Sequence, residues 1–375
     1  MKKNNTGQGR GKQVRERRGR GLGTLTIGMD LGDKTSRYCG LDEDGEVLLE
    51  RSVATTKRGL TQVFGALARC RVALEVGTHS PWVSRLLKSF GHEVIVANAR
   101  QVKLITQSTR KNDKLDAHTL ARLARIDPQL LRPIQHRSEQ AQLALLQVRV
   151  RASLVELRTR AVNTARGLAK ASGERLPTCA TENLGVEQME ALPAELRAVL
   201  KPLLEEVESL TEKIRVCDER IEQIARTDYP ETKLLEQVSG VGTLIALTFV
   251  LTIEDAARFQ KSRDVGCYVG LRPKRSESGE RQPQLGISKE GDIYLRKLLV
   301  QGAHCVLWRG PDTDLRRWGR KLAERGGQNA RKRALVAVAR KLAILLHRLW
   351  VTGAVYEPLR NSNQQGAAKA RKKAA

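Results

Sequence analysis

"TIGMDLGDKTSRYCGLDEDGEVL" (residues 26–48) is the stretch that decides the fold class. Thr26–Asp30 reads as an apolar strand, and Asp44-Gly45 marks a tight hairpin turn between the two strands that follow. Asp30 breaks the apolar pattern. A carboxylate in such company needs a compensating charge or a wet edge, so its reason for being there is chemical.

Outward from this stretch, strands and helices alternate. "RGLTQVFGALARC" reads as a helix, "RVALEVG" as a strand, "PWVSRLLKSFG" as a helix and "HEVIVANA" as a strand. "RQVKLITQ" and "DKLDAHTLARLARI" read as helices. That alternation predicts a layered α/β domain with a mixed sheet over 24–137. Residues 138–230 change character. Leu, Val and Ile recur at helical spacing between charges on either side of a Gly- and Pro-containing turn. This predicts two long amphipathic helices, paired as an antiparallel hairpin or coiled coil. Residues 231–357 form a third, helical unit. Within it "VSGVGTLIALTFV" (238–250) looks like a helix-hairpin-helix element, with backbone N–H groups at Gly240 and Gly242 suited to phosphate. The fold class is thus α/β plus all-α. Residues 1–23 and 358–375 are basic and of low complexity and read as disordered arms.

The charge is the strongest bulk signal. The 375 residues carry 67 Lys and Arg against 41 Asp and Glu, a net +26. Such an excess points to a polyanion partner, because each neutralised phosphate releases counterions. No apolar run is long enough to span a membrane, and no secretory leader is visible at the N-terminus. The six cysteines are scattered without a C-x-x-C pair, which argues against a zinc site or a disulfide framework and fits a reducing cytoplasm.

Two groups of residues carry chemistry. Asp30 and Glu75 each end an apolar strand, and Asp113 and Asp116 in "KNDKLDAHTL" share one helix face at i, i+3 spacing. Four converging carboxylates repel one another unless cations stand between them. Oxygen-only donors suit Mg²⁺, with Mn²⁺ as the alternative, and a pair of such ions supports phosphoryl transfer. Taken singly, Glu75 also fits a satisfied strand-end residue, and the Asp pair fits helix-dipole stabilisation. The second group lies in "GLRPKRSESGERQPQLGISKEGDIYLRKLL" (270–299), where Ser276, Ser278 and Ser288 are candidate nucleophiles. Lys274, Arg275 and Arg281 surround Ser278 with positive charge, useful beside a phosphodiester. Composition alone favours a solvated Ser/Gly/Glu loop. Further basic candidates for backbone contacts are Arg316, Arg317, Arg320, Lys321, Arg331, Lys332, Arg333, Arg340 and Lys341.

Together, "IGMDLG", "ALEVG", "KNDKLDAHTLARL", "LLEQVSGVGTLIALTFV" and "YVGLRPKRSESGERQPQLGISKEGDIYLRKLLVQGAHCVL" resemble the DEDD transposases of bacterial insertion sequences, the IS-one-ten family and its sister group, over about 25–355. The resemblance implies a RuvC-like (RNase H-like) N-terminal domain whose D-E-D-D acids, here Asp30, Glu75, Asp113 and Asp116, bind Mg²⁺. It implies a nucleophilic serine just before a glycine, here Ser278, with Ser276 two residues away. It further implies a serine recombinase guided by a non-coding bridge RNA, acting on donor and target DNA as a dimer or tetramer, in a bacterial cytoplasm near the nucleoid.

Other readings make different demands. Actin-like ATPases also open with a strand and "DLG" but need a second Asp-Gly phosphate loop and a Gly-rich adenosine loop, and neither is found. A RuvC-like junction nuclease using water would need the acids but not the 270–299 block. A nucleic-acid-binding scaffold would not need four intact acids.

Overall fold

The computed structural model describes residues 25–98, 113–274, 285–327 and 329–362, with the side chains of 113–115 excepted. The basic arm 1–23, the helix expected over "RQVKLITQ" and the tail from 363 lie outside the described residues. The chain divides into two compact units, up to Arg137 and from Ser138 onward.

The first unit is built on strands β1 (Thr26–Asp30), β2 (Thr35–Leu41), β3 (Val47–Ala54), β4 (Arg71–Glu75) and β5 (Glu93–Ala97). Among the described residues they form one sheet in the order β3-β2-β1-β4-β5. β1 pairs antiparallel with β2 and parallel with β4, and β4 pairs parallel with β5. The β2–β3 hairpin turns where Asp-Gly was expected. Gly45 takes φ +88°, and Asp42 Oδ1 accepts from the N–H groups of Asp44 and Glu46. This mixed sheet is consistent with the RNase H-like domain implied by the sequence.

Period-two burial sorts the strand residues onto two faces. Ile27, Met29, Val72 and Leu74 form one core with Leu60 and Phe64 of α1 (Lys57–Phe64) and Val83 and Leu87 of α2 (Ser80–Ser89). Helix α1 stops at Phe64, earlier than the sequence pattern predicted, and residues 65–70 form the turn into β4. The opposite face is covered by α3 (Asp113–Ile126). Cys39 and Leu41 pack there on Ala117 and Ala121, and Ala73 packs on Leu120 and Ala124.

The second unit opens with α4 (Glu139–Ala171) and α5 (Ala194–Thr227), two long helices that pair antiparallel. Arg151 grips Asp218 through two hydrogen bonds of 2.8 and 3.1 Å, and Arg158 reaches Thr211 at 3.2 Å. Val162, Ala165 and Ala169 interlock with Leu200, Leu204 and Val207, while Ala144 and Val148 meet Ile221 and Ala225. Ser138 caps α4 by accepting from the Ala141 N–H at 3.1 Å.

The remaining helices are α6 (Thr232–Glu236), α7 (Thr243–Ile253), α8 (Arg263–Tyr268), α9 (Ile293–Trp308), α10 (Asp314–Ala323) and α11 (Ala330–Thr352). Helix α7 is buried from Ile245 to Ile253 and forms the centre of a core shared with α9 and α11. The turn between α6 and α7 contains Gly240 at φ +86°, where a β-carbon would stand 2.8 Å from the Gly302 carbonyl of α9. Glycine is required at that position by both backbone conformation and packing. Among the described residues, no helix is long and apolar enough to cross a membrane.

Candidate active site

Asp30 and Glu75 stand at one edge of the sheet. The paired residues Met29 and Leu74 immediately precede them on the adjacent parallel strands β1 and β4. Each lies two residues beyond a position facing α3, Gly28 and Ala73 respectively, so both belong to the α3 face. Both are half-buried, which explains Asp30: it sits at the rim of the sheet and not within its core.

Helix α3 runs antiparallel to these strands. At its C-terminal end the Ala124 carbonyl accepts from Arg71, the first residue of β4, at 3.1 Å, and Arg125 reaches the Glu43 carbonyl at 2.8 Å. In its middle, a β-carbon on Gly28 would stand 2.1 Å from the Ala117 carbonyl oxygen. The N-terminal turn, with Asp113 and the half-buried Asp116, therefore lies at the carboxyl edge that carries Asp30 and Glu75. Asp113 falls within the described helix, but its side chain is outside the described set.

The donor chemistry fits a hard divalent cation, since every acid here offers oxygen only. Among the described residues no three His, Cys, Asp or Glu side chains already stand together as a ligand set. Two strand ends and one helix end contribute the acids, so a rigid scaffold holds the backbone positions.

Arg37 is a neighbour that sequence reasoning missed. It lies directly across from Asp30 in the β1–β2 register. With Arg51, Ser52 and Ala117 it lines a small groove of about 240 Å³. The hairpin register could have revealed it, because a turn after Gly32 pairs position 30 with position 37.

The same edge carries a further polar chain. Trp82 Nε1–H donates to His79 Nδ1 at 3.1 Å, so the proton of neutral His79 sits on Nε2, which faces Asp33 Oδ1 at 3.3 Å. Asp33 follows β1 and His79 follows β4, so this contact ties together the two turns that succeed the acid-bearing strands. Nearby, Ser80 Oγ is 2.9 Å from His136 Nε2 and donates to the Gly77 carbonyl at 2.8 Å. Burial, then the charges of Arg85, Lys88 and Arg137, hold the His136 pKa below the usual imidazole range.

The serine block belongs to the second unit. Ser276, Ser278, Arg275 and Arg281 lie outside the described residues. The residues on either side of this segment are described. Pro273 and Ile287 bridge antiparallel, the Lys274 N–H donates to the Gly286 carbonyl at 2.9 Å, and the Ser288 N–H donates to the Arg272 carbonyl at 2.9 Å. Gly270 and Gly291, both at positive φ, let the chain pass within backbone contact of Glu290 and Tyr268. Ser288 therefore belongs to this bridged pair of segments, and Lys274 is exposed beside it.

The remaining basic candidates divide. Arg317 is held by Asp312 through several short hydrogen bonds, and Arg316 donates to the Gly310 carbonyl. Arg331, Lys332 and Arg333 are exposed at the start of α11.

Residues 27–171 match the DEDD transposase model of the IS110 type, and residues 232–317 match the model described as transposase IS116/IS110/IS902 family. The chain is 29% identical over 334 residues to a transposase for insertion sequence element IS1111A from Coxiella burnetii, covering 85% of this chain and 88% of that protein. It is 28% identical over 290 residues to a transposase for insertion sequence element IS1328 from Yersinia enterocolitica, covering 76% and 84%. With the transposase-type protein y4pF/y4sB of Sinorhizobium fredii it shares 30% identity over 341 residues, covering 88% and 85%. The chain belongs to the IS116/IS110/IS902 family of insertion-sequence transposases, enzymes that cleave and join DNA.

Proposed function

We propose that this transposase acts as a serine recombinase in which Asp30, Glu75, Asp113 and Asp116 hold Mg²⁺ (or Mn²⁺) and Ser278 attacks the DNA backbone. The observation that supports it most is the convergence of two adjacent parallel strand ends and the N-terminal turn of α3 on one sheet edge. When bound, divalent ions there supply charge stabilisation for phosphoryl transfer.

The chain's own residues do the rest. Asp30 and Glu75 present carboxylates from a backbone fixed by the sheet ladder, and Asp116 presents one from a helix fixed against Gly28. Ser278 Oγ forms a bond to phosphorus as the bond from phosphorus to the leaving deoxyribose oxygen breaks. The serine proton is given up and the leaving oxygen is protonated. Attack by a hydroxyl of the exchanged strand reverses the step and frees the serine, so no net hydrolysis occurs. Lys274, Arg275 and Arg281 neutralise phosphate around the serine.

The +26 charge suits a partner larger than one DNA contact, and we assign to it a non-coding bridge RNA that selects donor and target by base pairing. The division of labour is 24–137 for the acids, 138–230 for a helical arm that joins copies into a dimer or tetramer, and 231–357 for the serine.

The test is strand cleavage of a labelled target duplex with the transcript flanking the gene and Mg²⁺. Asp30→Asn is expected to abolish cleavage and leave RNA binding intact. Full cleavage by that variant would refute the metal assignment. Cleavage that never leaves a protein–DNA bond would favour a water-using junction nuclease.

A further inference from the structure

The second unit contains a groove that the proposed chemistry leaves unused. Helices α10 and α11 pack side by side, and the chain beyond α11 returns across the start of α10. There the Asp314 N–H donates to the Pro358 carbonyl at 2.8 Å, and the Asn361 N–H donates to Asp314 Oδ2 at 2.7 Å. The groove is open to solvent and has a volume of about 1280 Å³.

Its lining has two components. Trp318 and Leu345 give it an apolar floor. Arg320 and Lys321 from α10, and Lys341 and Arg348 from α11, give it basic walls. Lys341, Leu345 and Arg348 recur at i, i+4, i+7, so they share one face of α11. Arg317 on the same helix is paired to Asp312, and Arg320 adds to the positive field at that carboxylate, whereas no ion pair within 4 Å is seen for Lys321, Lys341 or Arg348 among the described residues. Acids also line the groove: Asp314 is engaged by the returning chain, and Glu324 and Glu357 stand among basic side chains that outnumber them.

Lys341 is held in place. Its ammonium stands 3.8 Å from the centre of the Trp318 ring. A cation over an indole is attracted by the ring quadrupole, so Lys341 presents its charge from a fixed position at the groove floor.

The shape selects among polyanions. Duplex DNA is read by an element that protrudes into its major groove. Here the cations converge in a concavity bounded by α10, α11 and the returning chain. An apolar floor among cations is useful to bases that are not already stacked in a duplex.

We propose that this groove holds an unpaired DNA strand, with phosphates along Arg320, Lys321, Lys341 and Arg348 and bases against the apolar floor at Leu345, beside the Trp318 ring that Lys341 covers. The choice of DNA rests on the reading of the chain as a strand-exchanging enzyme, because each strand is unpaired while it passes between partners.

The experiment uses the full chain in chelator, so that no cleavage occurs. Binding of a fluorescent thymidine oligonucleotide, a mixed-sequence duplex of equal length and a uridine oligonucleotide is followed by anisotropy. The double variant Lys341→Gln, Arg348→Gln is expected to weaken thymidine-oligonucleotide binding roughly tenfold or more, and duplex binding by less than about twofold. Its salt slope for the single strand falls by about 1.4, at about 0.7 for each lost contact. Binding of the thymidine oligonucleotide quenches indole emission in the wild type, and Trp318→Phe removes most of that quench while Trp82, Trp308 and Trp350 still emit. A melting curve like the wild type's shows that each variant is folded. Equal weakening of single strand and duplex, no weakening, no single-strand binding, or a loss confined to the uridine strand would each overturn the proposal. Cleavage in Mg²⁺ is scored separately with Asp30→Asn, so failure of the groove and failure of the metal-dependent serine chemistry are read from different data.

Discussion

Gly28 at the centre of β1 lies so close to Ala117 of α3 that a β-carbon on Gly28 would stand 2.1 Å from the Ala117 carbonyl oxygen and 2.3 Å from the Ala121 nitrogen. The obstructing atoms are backbone, so the helix itself would have to move. Gly28→Ala is expected to destabilise the first unit by about 3 kcal/mol, the upper range for overpacking. That corresponds to a fall in melting temperature on the order of 10 °C. The displaced helix carries Asp113 and Asp116, so cleavage falls even where the variant stays folded. Gly77→Ala is the control, because a β-carbon there meets nothing within 4 Å. A melting temperature for Gly28→Ala equal to that of Gly77→Ala would refute the close packing.

The acids are expected to act in cleavage and not in folding. Asp116→Asn keeps the shape of a half-buried side chain at the helix start and removes its charge. Strand cleavage should drop at least about a hundredfold, the scale of one lost electrostatic contributor, with duplex binding unchanged in a gel-shift assay. Loss of binding in parallel with cleavage would assign Asp116 to structure.

His136 gives the first unit a pH-dependent stability. Its pKa is lowered in the folded protein by burial and by Arg85, Lys88 and Arg137. The unfolded chain therefore binds the proton more readily. The stabilisation is complete above the unfolded imidazole pKa, roughly 6.5, and is lost as pH falls through the lower folded value. Thermal melts between neutral and mildly acidic pH should show a decline that His136→Gln flattens. An unchanged decline would assign the acid sensitivity to other groups.

Cys70 is expected to be inert. Its thiol is buried, its pKa is pushed up to about 11 by that burial, and its Sγ lies 3.4 Å from His92 Nδ1. The backbone N–H of Cys70 also donates to His92 Nδ1 at 3.3 Å, so His92 carries its proton on Nε2 and donates to the Phe64 carbonyl at 2.9 Å. The thiolate is the reactive form, so alkylation at mildly alkaline pH should spare Cys70 until the protein is unfolded. Peptide mapping after iodoacetamide treatment reads this directly, and rapid labelling of Cys70 in the native state would contradict it.

The sheet and much of its acid edge were legible because they rest on short-range signals. Strand alternation around Asp30 and Glu75, the Asp-Gly turn and the i, i+3 acids of α3 are all local. The end of α1 at Phe64 was not legible, because "GALARC" continues an apolar pattern that the chain uses for a turn into β4. The meeting of Gly28 with Ala117 joins residues far apart in sequence, and no local pattern announces it. Arg37 was within reach through hairpin register. The pairing of Arg317 with Asp312 was not, because a run of basic residues reads alike whether its members face solvent or a neighbouring carboxylate.

The central claim is that Ser278 forms a bond to DNA. The most direct measurement is to incubate the protein with the transcript flanking its gene, a labelled target duplex and Mg²⁺, to denature, and to separate the products. The account predicts labelled DNA migrating with protein, absent in Ser278→Ala and retained in Ser276→Ala. Cleaved DNA free of protein in both the wild type and Ser278→Ala would contradict it.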